Sequence, residues 1–134
     1  MAFGVLVVDD NQSFSNAARL LLERQGACVV GVACTSAEAV RRVTELRPDV
    51  VLVDLALGDE CGLDLARLIA GKGCGAPAVV LISAYSPADV EELLAGNPAV
   101  GFVPKSELSA DAIRRAVRRS GRATDADALS AKGH

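Results

Sequence analysis

Apolar residues in this chain fall into two patterns that alternate. Short, nearly unbroken runs occur at Phe3–Val8, Cys28–Ala33, Val50–Val53, Ala78–Ile82 and Val100–Val103. They are rich in Val, Leu and Ile and too short for helices, so each predicts a buried strand. Between them apolar residues recur at three and four. From about Ser13 the series Phe14, Ala17, Ala18, Leu21 and Leu22 predicts a helix, with Gly26 placed to end it. Thr35-Ser36-Ala37-Glu38 has the spacing of a capping box, and Ala39, Val40, Val43 and Leu46 carry a second helix to Pro48. The third run leads into Asp54 and then a flexible acidic loop, Gly58-Asp59-Glu60. A third helix is predicted from about Gly62, with Leu63, Leu65, Ala66, Leu68 and Ile69 as its apolar positions and Gly71 and Gly73 closing it. The fourth run leads into Ser83. Ser86-Pro87-Ala88-Asp89 then opens a fourth helix, with Ser as cap, Pro in the first turn and Asp matched to the helix dipole. Lys105 follows the fifth run, and a last helix is predicted from about Ser109 to Arg119.

Five apolar strands alternating with five helices imply parallel pairing, because each helical crossover returns the chain to the same end of the sheet. The packing this predicts is an α/β flavodoxin-like doubly wound (βα)5 sandwich, a five-stranded parallel sheet of order 2-1-3-4-5. No internal repeat or second domain is visible. Residues 1–120 are expected to form one domain, and the small, polar residues 121–134 a flexible tail or the start of a linker.

Composition narrows the chemistry. Only five of the 134 residues are Phe, Trp, Tyr or Met, so the core must be aliphatic, as suits a sheet covered on both faces. No run approaches the ~20 apolar residues of a membrane span, and no secretory leader pattern opens the chain, so a cytoplasmic location is expected. Cys28, Cys34, Cys61 and Cys74 form no C-x-x-C pair, and the only histidine is His134. This argues against a Cys/His metal site and against a Ser-His or Cys-His hydrolase. The cysteines are expected to be small buried hydrophobes. The net charge of −3 is unevenly spread: six Lys/Arg against two Asp from Arg114 onward leave residues 1–113 at −7.

The acidic part has a place to act. Asp9, Asp10, Asp54, Ser83 and Lys105 all lie at or just past the ends of strands one, three, four and five. In a parallel sheet those ends share the edge where ligands bind. Three carboxylates drawn together need a cation, and hard oxygen ligands suit Mg2+ or Mn2+. Lys105 adds a point positive charge and Ser83 a hydroxyl donor. Transfer of a phosphoryl group to a carboxylate requires such a set: a nucleophile, a metal, an ammonium and a hydroxyl. Singly, each residue also fits a turn, a helix cap or a solvated surface; their conjunction is what points to chemistry.

On these residues the chain resembles the receiver domain of two-component response regulators, over residues ~4 to ~119. The resemblance rests on strand-then-Asp9-Asp10, Asp54 after Val50-Val51-Leu52-Val53, Ser83-Ala84, and Lys105 in Gly101-Phe102-Val103-Pro104-Lys105. It implies that Asp54 is the phosphoacceptor and that Asp9 and Asp10, with Asp54 and the backbone carbonyl of Ala56, hold the metal. It also implies that Ser83 and Lys105 contact the phosphoryl group, and that Ser83 and Phe102 form a switch in which Phe102 fills space vacated by Ser83. Three departures stand out. Pro104 precedes the lysine and Ser106 follows it, so no cis bond is assumed there. Gly58 stands where a proline is common, and Ala56 and Tyr85 flank the path of an attacking water.

The resemblance further implies a sensor histidine kinase or phosphotransfer protein as donor. Output would pass to a protein partner or a homodimer through helix four, strand five and helix five. On the last helix Ile113, Ala116 and Val117 face one way, and Arg114, Arg115, Arg118 and Arg119 the other. Asp111 and Arg115 have the spacing of an ion pair. Four arginines without aromatics, on an acidic domain, are weak grounds for nucleic-acid contact. Two arrangements stay open: a stand-alone phosphoacceptor, or the N-terminal receiver part of a DNA-binding regulator whose helix-turn-helix lies outside these residues. A turnover enzyme is disfavoured, since there is no Asp-x-Asp and no G-x-G-x-x-G after strand one.

Overall fold

The computed structural model describes residues 3–71, 76–84 and 101–119. In chain order it contains β1 (Gly4–Val8), α1 (Gln12–Arg24), β2 (Cys28–Ala33), α2 (Ser36–Leu46) and β3 (Val50–Asp54). A two-residue pair, β4 (Ala56–Leu57) and β5 (Glu60–Cys61), precedes α3 (Gly62–Ala70). Then come β6 (Ala78–Ser83), β7 (Gly101–Pro104), a short 3-10 turn (Lys105–Glu107) and the C-terminal helix (Ala110–Arg119). The main sheet has the order β2-β1-β3-β6-β7, all pairs parallel, which is the expected 2-1-3-4-5. The expected fourth helix and the tail lie outside the described residues, as do Cys74 and Tyr85.

Successive residues of a strand face opposite sides of a sheet, and both sides are covered. Val5, Val7, Val50, Leu52, Val80 and Ile82 pack with Ala18 and Leu22 of α1 and with Ile113 and Val117 of the C-terminal helix. Leu6, Val8, Val51, Val53, Val79 and Leu81 pack with Ala39 and Val43 of α2 and with Leu65, Ala66 and Ile69 of α3. Every residue of β3 and β6 is buried, as expected for central strands. Pro104, which has no N–H for a ladder, sits on β7 at the sheet edge.

Several local expectations are corrected. α1 buries Ser15, Ala18 and Leu22, while Ala17 and Leu21 are exposed. The stripe that α1 turns to the sheet runs through Ser15, Ala18 and Leu22, and Ala17 and Leu21 fall outside it. Leu68 on α3 is turned out for the same reason, 56% exposed. Cys28 and Cys61 are exposed and Cys34 half-buried, all as free thiols, because they lie on the edge strand, on the small hairpin and just beyond β2 rather than in the core. The Gly58-Asp59-Glu60 segment is no open loop: Gly58 and Asp59 form the turn of the β4–β5 hairpin, with Gly58 at φ +61°, and Glu60 opens β5. Asp111 pairs with Arg114 (3.4 Å) instead of Arg115, and the Arg114 guanidinium lies 4.9 Å from the centroid of the buried Phe3 ring, which fixes its direction.

The predicted Thr35 cap forms, and the predicted Ser86 cap lies outside the described residues. Thr35 accepts a hydrogen bond from the Glu38 N–H (3.1 Å), but the Glu38 carboxylate reaches one residue further back than in a reciprocal box, to the Cys34 N–H (2.8 Å). Ser109 accepts from the Ala112 N–H (2.9 Å) at the start of the C-terminal helix.

One glycine is fixed by the space around it. A Cβ at Gly62 would overlap the Asp54 carbonyl oxygen and the Leu55 backbone, and the Gly62 N–H donates to the Leu55 carbonyl (3.1 Å). Gly62→Ala is expected to destabilise the domain at the upper end of the ~1–3 kcal/mol that overpacking costs. A urea unfolding titration checks it; an unchanged midpoint would mean that the Asp54–Leu55 backbone can move aside freely.

Candidate functional site

Asp9 follows β1, Asp54 ends β3, Ser83 ends β6 and Lys105 follows β7, so the parallel register delivers all four to one edge. Asp9, Asp54 and Ser83 are buried, whereas Asp10 is exposed. The Lys105 ammonium lies 2.7 Å from Asp9 Oδ2 and 3.1 Å from Asp54 Oδ2, bridging the two buried carboxylates. One carboxylate oxygen from each of Asp9, Asp10 and Asp54 lies within 4.8 Å of the others. The expected metal-ligating acids are thus brought together among the described residues.

Local bonds fix the directions of these groups. Asp54 Oδ1 accepts from the Ala56 N–H (3.1 Å), which ties the carboxylate to the peptide entering the β4–β5 hairpin. Asp9 Oδ1 accepts from the Asn11 N–H (2.9 Å). Asn11, rather than either aspartate, caps α1 by accepting from the Phe14 N–H (3.1 Å), leaving Asp9 and Asp10 for other work. The Gly58 turn lies close to Asp10, its Cβ direction 3.5 Å from Asp10 Oδ2. Glu60 on the hairpin accepts from the Ser36 N–H (2.8 Å) and anchors it to the start of α2. Ser83 pairs in register with Pro104, and Phe102 pairs with Leu81 and is half-buried against the α2–α3 face. Lys105–Ser106 is trans.

Burial pushes the Asp54 carboxyl above its ordinary value, and the nearby Asp9 charge adds to the rise; the Ala56 N–H and Lys105 oppose it without cancelling it. For Lys105 burial acts downward, but the hydrogen bonds and charges of Asp9 and Asp54 outweigh it and hold the ammonium above its ordinary range. The cluster is therefore short of positive charge. Asp9 Oδ2 is buried and, apart from the ion pair with Lys105, makes no hydrogen bond of good geometry. An all-oxygen set of three carboxylates with such a lone pair free suits a hard divalent cation.

The chain matches the model of the response regulator receiver domain over residues 5–118. It belongs to that family. As a receiver it is a phosphoacceptor module of two-component signalling. It is 36% identical over 119 residues to a protein-glutamate methylesterase/protein-glutamine glutaminase 1 of Saccharophagus degradans, covering 84% of this chain and 32% of that protein. It is 35% identical over 88 residues to the DNA-binding response regulator MtrA of Mycolicibacterium smegmatis, covering 64% of this chain and 37% of that one. Among solved structures it resembles the signal receiver domain of a modulated diguanylate cyclase from Desulfovibrio desulfuricans, with TM-score 0.72 and 30% identity over 90% of this chain and 94% of that one. The receiver chain spans about a third to a half of the length of the curated relatives it matches.

Sequence reasoning missed three residues of this receiver's site. Phe14, read as part of the helix core, lies under the Lys105 ammonium, 4.5 Å from ring centroid to Nζ. Asn11 was passed over as a cap although its residue type favours that role. Gly62 carried no signal beyond opening a helix.

In metal-free protein Asp54 has a folded-state pKa above its unfolded value. Between the two the folded state binds more protons, so stability falls as pH rises through that window. Asp54→Asn removes this loss. The variant is expected to be more stable than wild type at pH 7 in EDTA, with the gain shrinking as pH falls toward the ordinary carboxylate value of 3.8. Urea midpoints across that range check the sign; a variant less stable than wild type at pH 7 would contradict it.

Proposed function

We propose that Asp54 is the phosphoacceptor of this receiver. The observation that carries the reading is the Lys105 ammonium set between Asp9 and Asp54, at 2.7 and 3.1 Å, with a third carboxylate from Asp10 beside them. Ionised Asp54 attacks the phosphorus while the bond to the donor breaks, and the bonding electron pair leaves with the donor. Lys105 already touches Asp54 Oδ2, so a small displacement carries its charge onto a phosphoryl oxygen. Ser83, buried at the end of β6, supplies a hydroxyl donor to another.

Asp9, Asp10 and Asp54, with the Ala56 carbonyl, would hold Mg2+ or Mn2+, which when bound neutralises the crowded carboxylates and the phosphoryl oxygens. A histidine kinase or phosphotransfer protein is the donor in this reading, and the location is the cytoplasm. Among the described residues no helix is long and apolar enough to cross a membrane. Residues 1–120 form the receiver and 121–134 a tail or linker.

Output is read by a protein partner or a second copy. Ser83 and Phe102 shift together along the neighbouring strands β6 and β7 and alter the surface of β7 and the C-terminal helix, to which the expected fourth helix, outside the described residues, would add. The chain does not act on an external substrate. A second reading keeps the same site and joins it to a DNA-binding module. It is favoured by the MtrA relative, of whose length this chain covers only 37%. In either reading the acidic receiver itself does not bind nucleic acid.

Incubation with acetyl phosphate and Mg2+, followed by intact mass measurement, is expected to show a ~80 Da adduct. The adduct should vanish in Asp54→Asn and in EDTA; equal labelling of wild type and Asp54→Asn would remove Asp54 from the role. If the output is a homodimer, BeF3− with Mg2+ is expected to shift the gel-filtration volume toward twice the mass. A monomer under both conditions would direct attention to a heterologous partner.

A further inference from the structure

The mechanism above gives Phe14 nothing to do, although its ring lies closer to the Lys105 ammonium than any other aromatic among the described residues. We propose that Phe14 is a positioning residue whose ring face holds the Lys105 ammonium over Asp54. The proposal rests on the phosphoacceptor reading and adds to it a residue outside the five polar groups of the site.

Three observations support it. The ammonium sits 4.5 Å from the ring centroid, well inside the ~6 Å range in which the quadrupole of an aromatic face attracts a cation. The Lys105 side chain is only 19% exposed, so water competes weakly for that face. The backbone that carries the ring is also tied to the site: Asp9 Oδ1 accepts from the Asn11 N–H (2.9 Å), and Asn11 Oδ1 accepts from the Phe14 N–H (3.1 Å). Two hydrogen bonds therefore link the Phe14 backbone to the same aspartate that Lys105 touches through its other oxygen.

Lysine is a flexible stem carrying a compact charge, and its holding costs rotamer entropy. In the resting site two carboxylates hold it. Both would be drawn to other groups during transfer: Asp9 would help to hold a bound metal, and Asp54 would bond to phosphorus. The ring is claimed by neither, so its attraction persists when the ion pairs are redistributed. It keeps the ammonium at the sheet edge, where charge develops on the phosphoryl oxygens.

The test grades the ring without changing its shape. Phe14 is replaced by mono-, di- and trifluorinated phenylalanine, and by Leu and Tyr, in wild-type and Lys105→Met backgrounds. The rate of adduct formation from acetyl phosphate with Mg2+ is measured against donor concentration. In the Lys105 background the rate is expected to fall stepwise with fluorination and by about two- to fivefold in Phe14→Leu, with Phe14→Tyr close to wild type. Melting temperatures should stay level across the fluorinated series, and in Lys105→Met the fluorine trend should disappear.

A second readout needs no phosphorylation. The Lys105 Cε protons are expected to show an upfield ring-current shift in the metal-free protein, lost in Phe14→Leu. Rates indifferent to fluorination, or a trend that persists in Lys105→Met, would overturn the proposal and leave Phe14 as packing. Absence of any wild-type adduct would overturn the phosphoacceptor reading and the role of Phe14 with it. Wild-type labelling without a fluorine trend would overturn the Phe14 role alone.

Discussion

Two carboxylates at the buried edge of a sheet repel each other, and the fold has to bring a cation to them. At an effective dielectric constant of ~20, unit charges ~4 Å apart interact by about 4 kcal/mol, a large fraction of a domain's net stability. Lys105 supplies the cation, reaching Asp9 and Asp54 from the far side of the sheet. That single contact ties the ends of β1, β3 and β7 together. It also sets one ammonium against two buried carboxylates, with the exposed Asp10 beside them. Burial holds the Asp54 carboxyl above its ordinary value and the Asp9 charge adds to the rise, which the Ala56 N–H and Lys105 oppose without cancelling.

The strand order, the double-sided core and the convergence of Asp9, Asp54, Ser83 and Lys105 were legible in the sequence. They follow from period alone: continuous Val/Leu runs must be buried on both faces, and buried parallel strands must end on a common edge. The acids could be placed because a polar residue closing an apolar run has no other side of the sheet to occupy. Phe14 was legible as apolar and as helical, but not as a site residue. A hydrophobic pattern records which residues leave water, and it does not say which neighbour they leave it for.

Other misreadings share that origin. Ala17 and Leu21 obey a three-and-four spacing yet face outward, since the helix phase is set by contact with the sheet. Cys28 and Cys61 are of a type common in cores but fall on an edge strand and a hairpin, where position overrules residue preference. Arg114 instead of Arg115 takes Asp111 because the Phe3 ring, over 100 residues away in the chain, fixes the guanidinium. The acidic loop after β3 read as flexible because nothing local shows that Glu60 would find the free N–H at the start of α2, or that Gly62 would lie against Asp54.

The hairpin and Gly62 bear on how a change at Asp54 could travel. The Asp54 carboxylate is bonded to the Ala56 N–H, the Ala56–Leu57 strand is paired with Glu60–Cys61, and Glu60 is bonded to α2. On the other side, β3 pairs with β6, and β6 carries Ser83 to Pro104 and Leu81 to Phe102 on β7. Packed side chains have discrete arrangements, so a displacement at Asp54 is absorbed by one of these routes as a jump and not spread evenly. The hairpin route is pinned at Gly62, where the backbones already touch. The β6–β7 route ends at Phe102, a half-buried aromatic on an edge strand. The site is thus held on one side through the hairpin to α2 and joined on the other, through β6, to β7.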